Sequence, residues 1–408
     1  MTWDGRDAEF VVQNSSWDEV RCFGCYAKSS VLKTLSSQVS ADTLVSSKWS
    51  ISSKTHDWNR AVLDAEKMVG HPTTFFSLKC LLSEEFTSVA MHLRKLVGTD
   101  HPILKTAKRL VYHGRTNMQT RGLIVLLLSK SAGHTAACMD LNSADESGVT
   151  TRQQTLAEIT EMIHTAHLIH KGILNLSPTV VPDENTREDL QLGNKISILS
   201  GDYLLANACK GLANLRNCKV VDHISKAIAD FTQAQFLGEY DKQGNPLPTR
   251  GMNLKTWEEK NMLSAGSLLA NSCKSTLELA GFDEQLQTQA FEFGKNIGLA
   301  WQVYSDLQPF VDSLGCPPGS KFDLTSIPVI FHLEKNQDKV DKIREQINDN
   351  ISDFDFKTLH EFVMADDSVQ KSKDLLQLYS QRAEDLLPLF GMSPASKALS
   401  NIINSLRE

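Results

Sequence analysis

No stretch of this sequence approaches the roughly 20 consecutive apolar residues that a membrane-spanning helix needs. The densest run, 122–128 (GLIVLLL), reads instead as a buried helix. Positive charge is not in excess: 42 Lys and Arg stand against 49 Asp and Glu, a net charge of −7. That gives no support for a nucleic-acid binder, which would present a basic face, so any phosphate ligand has to be met by local cations. A disulfide framework is missing as well. The eight cysteines are scattered, four of them at helix-like positions (Cys80, Cys138, Cys209, Cys273), as reduced core thiols are. Cys22 and Cys25 form the one C-x-x-C, without the second pair or flanking strand pattern that a zinc or redox site needs. No alternating strand pattern and no Asn-Gly hairpin signal occurs.

What is present is helix after helix. At 408 residues, with 41% hydrophobic and 22% charged, the chain can bury a large core without staples. Residues 1–20 are acidic. From Arg21 to Lys54 serine and threonine abound, and Arg21, Lys28, Lys33, Lys48 and Lys54 face only Asp42. This basic, acid-poor leader has two readings, a mitochondrial transit peptide or a disordered tail. We therefore divide the chain into a leader, 1–55, and one all-α domain, 56–408.

Periodicity predicts helices at 61–69, 102–114 (capped by Asp100, with Pro102 in the first turn), 120–132 and 151–176. A late start to the last of these would use Thr155 with Glu158 as a capping box. Further helices are expected at 192–215, 220–237, 256–280, 284–308, 339–347, 356–363, 375–387 and 395–406. Polar loops fill 141–150 and 238–251, and Pro309, 316–319 and Pro328 interrupt the segment between 308 and 339. The very apolar segments 120–132 and 262–280 imply a central layer surrounded by others.

The stretch 161–175, EMIHTAHLIHKGILN, carries His164, His167 and His170. Steps of three fan the rings over roughly a third of the helix circumference. Zinc-binding helices prefer i, i+4 histidines with a glutamate between, and no such pair exists here. Ordinary polar or half-buried histidines are the simpler reading.

Five runs occur in a telling order: TRGLIVLL at 120–127, LIHKGILN at 168–175, GNKI through GDYLLA at 193–206, GSLLA at 266–270 and GLAWQ at 298–302. Together they resemble the trans-isoprenyl (polyprenyl) diphosphate synthase family over about residues 58–335. The similarity is greatest to one subunit type of its heteromeric members, notably through GHPTTFFSLKCLLSEEF at 70–86. The resemblance implies an all-α bundle of the isoprenoid synthase type. It also implies a chemistry: an allylic diphosphate ionises, the double bond of isopentenyl diphosphate attacks the cation, and Mg²⁺ on two aspartate-rich motifs holds the leaving diphosphate.

This sequence departs from the family at those motifs. Lys171 and Gly172 stand where the first aspartates would be, and Asn175 stands at the last acidic position. In the second motif the acids would fall at Ser305, Asp306 and Pro309, and Asp306 alone remains. The family's Lys-Thr pair corresponds to Ser264-Ala265. Of the basic groups that grip isopentenyl diphosphate, Arg121 and His164 match and a lysine is replaced by Met118. Ala166 lies where family members set chain length, and its small size would leave a tunnel open.

The expectation is therefore a non-catalytic subunit that binds no metal itself. Mg²⁺ and catalysis would reside on an aspartate-rich paralogue, two of each chain would form a heterotetramer, and the product would be the ubiquinone side chain made on the mitochondrial matrix side. Two alternatives stand beside it: a prenyltransferase active alone through a degenerate metal site, and a prenyl-binding scaffold.

Overall fold

The computed structural model describes residues 53–70, 101–103, 120–135, 148–176, 181, 183–311, 320–347, 351 and 354–407. Residues 1–52 with Cys22 and Cys25, most of the helix expected at 102–114, Met118 and most of the loop 141–150 lie outside the described residues.

Helix α1 (Ser53–Val69) turns Val62, Ala65 and Val69 inward, as its periodicity predicts, and ends at Gly70 with φ 75°. Helix α2 (Arg121–Ala132) buries Leu123 through Leu128 on all sides, so it has no polar face to orient it. Helix α3 (Thr151–His170) starts from a capping box one turn earlier than Thr155 and Glu158 would place it. Thr150 Oγ1 accepts from the Gln153 N–H at 3.2 Å, and Gln153 Oε1 accepts from the Thr150 N–H at 3.1 Å. Thr155 lies inside the helix and bonds back to the Thr151 carbonyl at 2.9 Å.

Asp183 caps the long helix α4 (Glu184–Leu215) by accepting from the Thr186 N–H at 2.8 Å, so α4 begins a full two turns before the apolar pattern does. Arg216, with φ 50°, turns the chain into α5 (Cys218–Ala234), capped by Asn217. The loop expected at 238–251 contains a small antiparallel ribbon instead: β1 (Glu239–Tyr240) pairs with β2 (Pro246–Leu247) around a turn that Asp241 holds. The absence of an alternating pattern concealed it because each strand is two residues long.

The helix expected at 256–280 is three pieces: α6 (Leu254–Asn261), a π-helical turn (Met262–Gly266) and α7 (Ser267–Leu279). Helix α8 (Glu284–Leu307) packs along α7 at two glycines. A Cβ on Gly294 would lie 2.7 Å from the Leu269 carbonyl, and one on Gly298 would lie 2.8 Å from the Gly266 Cα. Pro328, expected to interrupt the chain, instead lies in the first turn of a further helix, α9 (Ile327–Glu334), where proline forfeits no hydrogen bond. Then come α10 (Gln337–Ile347), α11 (Phe356–Ala365), α12 (Ser368–Leu386) and α13 (Pro394–Arg407).

Helix α7 is the axis of the bundle, packed by α2, α3, α5 and α8. Its hydroxyls pair with those of its neighbours: Thr276 with Ser129 at 2.7 Å and Ser272 with Thr160 at 2.8 Å. These buried polar pairs are satisfied across helices, which lets serine and threonine sit in the core. A second apolar cluster, including Phe310, Phe322, Val329, Ile343 and Val363, is built by α9, α10 and α11 beside the end of α8. The all-α bundle expected from the sequence is the fold observed, with the ribbon as its only sheet among the described residues.

Candidate functional site

The start of α2 meets α3 at Gly122, where a Cβ would lie 2.9 Å from both the Ala157 carbonyl and Glu161 Cγ. That close approach lets the buried Glu161 carboxylate accept from the Gly122 N–H at 2.7 Å. Glu161 thus caps α2 from another helix, a job that the Thr120 side chain leaves undone. Burial pushes its carboxyl up to about 7, and the hydrogen bonds and the Arg121 charge only partly offset this. One turn further on, Arg121 Nη1 and His164 Nε2 are 2.8 Å apart. The two residues expected to contact isopentenyl diphosphate therefore engage each other. Burial lowers His164 well below the usual imidazole range, and the Arg121 charge adds to the effect.

The other two histidines diverge. His167 stacks on Phe231 of α5, ring centroids 4.2 Å apart, and burial pushes it down to about 3 with help from Lys171 and Arg121. His170 points the opposite way, with Nε2 3.3 Å from the Ile198 carbonyl and 3.5 Å from Asp202. It fills the space a side chain at Gly201 would need. Ala166 has no accessible surface, so it lines no open tunnel in this structure.

Helix α3 stops at His170 rather than running on to 176. A Cβ at Gly172 would crowd the Ile169 carbonyl and Pro102, each at 3.2 Å, and the chain leaves as a tail. Asn194 of α4 clamps that tail by donating to the Leu174 carbonyl at 2.8 Å and accepting from the Leu174 N–H at 2.9 Å. Asn175 then donates to the Lys242 carbonyl of the ribbon at 2.6 Å. Lys171 is exposed, and desolvation of its ammonium lowers its pKa, Asp323 raising it and Lys260 lowering it further.

At the second motif Asp306 is enclosed. It accepts from Trp257 Nε1 at 3.0 Å, from the Ile327 N–H at 2.9 Å and from Gln302 Nε2 at 2.8 Å. It ties α6, α8 and the start of α9 together, and burial pushes it up to about 7, with Asp323 adding to the rise. Ser305 is exposed, and the Pro309 carbonyl accepts from His360 at 3.0 Å. Ser264 lies in the π-helical turn, 3.4 Å from Asn261 Oδ1, and Ala265 is buried.

Mg²⁺ requires several converging hard oxygen ligands. The first-motif positions offer an ammonium, a glycine and an amide committed to the ribbon, and the remaining acid of the second motif is a buried clamp. Among the described residues no group of three His, Cys, Asp or Glu is placed to hold a metal. This donor set does not fit the ion.

Sequence reasoning missed Glu161, Asn194, Lys260 and Asp323. For Lys260 a signal was present. It lies four residues before Ser264, on the same face of a helix as the missing family lysine.

The polyprenyl synthetase family profile matches residues 104–361. The chain is 42% identical over 353 residues to all trans-polyprenyl-diphosphate synthase PDSS2 of Rattus norvegicus, covering 85% of this chain and 86% of that one. It is 27% identical to a probable mitochondrial hexaprenyl pyrophosphate synthase of Yarrowia lipolytica, with 85% and 88% covered. Among solved structures, a polyprenyl synthase from Caulobacter crescentus complexed with calcium and isoprenyl diphosphate superposes with a TM-score of 0.61 at 17% identity, covering 86% of this chain and 97% of that one. A decaprenyl diphosphate synthase from Rhodobacter capsulatus gives 0.60 at 15%, with 87% and 98% covered. The fold, the profile and the rat relative agree: the chain belongs to the polyprenyl synthetase family.

Proposed function

We propose that this chain is the non-catalytic subunit of a heteromeric trans-polyprenyl diphosphate synthase that makes the ubiquinone side chain in mitochondria. The observation that carries this reading is the state of the second motif. Asp306, the one acid left there, has its oxygens taken by Trp257, Gln302 and the α9 backbone. With Lys171 at the first motif, the charge needed to gather Mg²⁺ around a leaving diphosphate is missing on both sides.

In the family reaction the carbon–oxygen bond of the allylic diphosphate breaks, and the leaving diphosphate takes the electron pair. The carbocation is then attacked by the double bond of isopentenyl diphosphate, and the new carbocation loses a proton from the adjacent carbon to restore a double bond. Stabilising that multiply charged leaving group is the main demand, and an aspartate-rich paralogue holding Mg²⁺ meets it. This chain supplies the matching half of the assembly. Helix α4 packs along α3 and exposes Ile198 and Leu199 on another face, 43% and 55% accessible. That face supports association with the paralogue through helices, two of each chain forming a heterotetramer. The mitochondrial relative in Yarrowia lipolytica supports the location.

The test is co-expression with the aspartate-rich paralogue. The two chains are expected to co-purify, and product from isopentenyl and allylic diphosphates with Mg²⁺ is expected from the mixture and not from this chain alone. Failure to associate sinks the reading.

A further inference from the structure

His332 of α9 is a buried titratable group outside both degenerate motifs, 3% exposed. Its ring bonds two charged groups from different parts of the chain. Nδ1 lies 2.6 Å from Asp366 Oδ2, between α11 and α12, and Nε2 lies 3.1 Å from Lys339 Nζ on α10. The ring also lies parallel to that of Phe362 on α11, centroids 6.4 Å apart, and the Lys339 ammonium is 4.4 Å from the same phenyl centroid. One imidazole thus joins α9 to α10, to α11 and to the start of α12.

These partners fix its protonation. An ammonium can only donate, so Nε2 carries the lone pair, and an ionised carboxylate can only accept, so the proton is on Nδ1. Asp366 is itself held in place, its Oδ1 accepting from the Ser368 N–H at 2.8 Å. A second proton has to go to Nε2. It would turn an acceptor into a donor aimed at a cation 3.1 Å away, so the Lys339 contact cannot survive it. The Asp366 contact becomes an ion pair and tightens. The other charges at this junction are Lys335, which pairs with Asp367, and Lys371, 3.5 Å from Asp367. Against α8 and α6, Asp306 with Trp257 meets α9 at the Ile327 N–H, more than a turn before His332. Among the described residues the ring bonds Asp366 and Lys339 alone.

Helix α10 is also where the ribbon is fastened. Asp341 pairs with Arg250, Arg344 pairs with Glu239, and Gln337 Oε1 accepts from the Gly251 N–H at 3.0 Å. Exposed ion pairs contribute little singly, so the set holds only while α10 keeps its place. That place is set by Val340, Ile343 and Ile347 in the second apolar cluster, against which Leu247 of the ribbon packs, and by Lys339. We propose that His332 is a proton-operated latch. Neutral, it fastens α10 to α9 through Lys339. Protonated, it releases α10 and loosens the ribbon that α10 carries, while Asp366 keeps α9 joined to the start of α12. The latch operates whether or not this chain is catalytic.

The experiment is hydrogen–deuterium exchange of the purified full chain between about pH 5 and 8, where histidine titrates. Each rate is divided by the intrinsic rate at that pH, and the His332 ring is followed by NMR in histidine-labelled protein. Hydrogen bonds from their arginine partners hold the Asp341 and Glu239 carboxyls below the usual carboxylate range, so the ribbon's own ion pairs stay formed across this window. Peptides covering 239–251 and 337–347 are expected to lose protection about tenfold or more as the His332 ring gains its proton, as for loss of one charge-assisted contact. Peptides of α7 and α8 should not change. His332→Gln can still donate to Asp366 and accept from Lys339 but cannot take up the proton, so both segments should stay protected throughout. Lys339→Met removes the other half of the latch and should leave both segments loose at every pH.

A His332 ring that takes no proton above about pH 5 would overturn the latch. So would protection of 239–251 and 337–347 that is unchanged while the ring titrates, or a pH response retained in Lys339→Met.

Discussion

Arg121 donates from Nη1 to His164 Nε2 at 2.8 Å, and that one contact fixes the state of both side chains. A guanidinium has no acceptor, so Nε2 must carry the lone pair and the imidazole must be neutral with its proton on Nδ1. Two basic groups that could have gripped a phosphate are joined in a part-buried pair. Removing one partner strands the other, so Arg121→Ala is expected to destabilise the chain by about 1–3 kcal/mol. Denaturant midpoints at neutral pH measure this. An unchanged midpoint would mean that Arg121 is free to serve a ligand.

Glu161 gives a pH signature. Its folded pKa of about 7 lies above the ordinary 4.5, so the folded state holds the proton longer than the unfolded one. Its contribution to stability is therefore lost as pH rises from 4.5 to 7. His167 acts oppositely. Its folded value of about 3 lies below the ordinary 6.5, so its contribution rises with pH between those values. In Glu161→Gln the falling contribution is removed, and the variant should gain on the wild type by on the order of 3 kcal/mol between those pH limits of Glu161. Thermal unfolding at pH 4.5 and 7 reads the difference.

Asp306 separates a clamp from a metal ligand. Asp306→Ala leaves the Trp257 and Ile327 N–H groups without their acceptor and should cost about 2–4 kcal/mol. In the assembled enzyme the Mg²⁺ concentration for half-maximal activity should stay where it was. A shift in that concentration at unchanged assembly would identify Asp306 as a ligand.

The bundle axis depends on close approach. Gly298→Ala places a methyl 2.8 Å from the Gly266 Cα, backbone that cannot move aside as a side chain end could. The expected loss is about 1–3 kcal/mol in chemical denaturation, with α7 and α8 forced apart at the π-helical turn.

Much of the fold was legible because burial writes a period into the chain. Helix α2 showed itself as an uninterrupted apolar run, and α8 as a long amphipathic one. Boundaries set by caps were harder, since Asp183 and Thr150 act through single hydrogen bonds that leave no periodic trace. Pro328 misled because proline breaks a helix in its interior and suits one at its start. At the site, Lys171 was legible by comparison with an acidic pattern. Glu161 and Lys260 were not singled out, because their roles arise from neighbours 39 residues away for Glu161 and from a different helix for Lys260. Only the fold brings such groups together.

The central claim is that this chain completes a synthase without performing its chemistry. The direct measurement is radiolabelled isopentenyl diphosphate incorporation with an allylic primer and Mg²⁺, for this chain, for the paralogue and for the two combined. The account predicts no polyprenyl product from this chain at any Mg²⁺ concentration, robust product from the combination, and none when the paralogue's aspartates are replaced by alanine. Polyprenyl product from this chain alone, or from the combination with those aspartates removed, would contradict it.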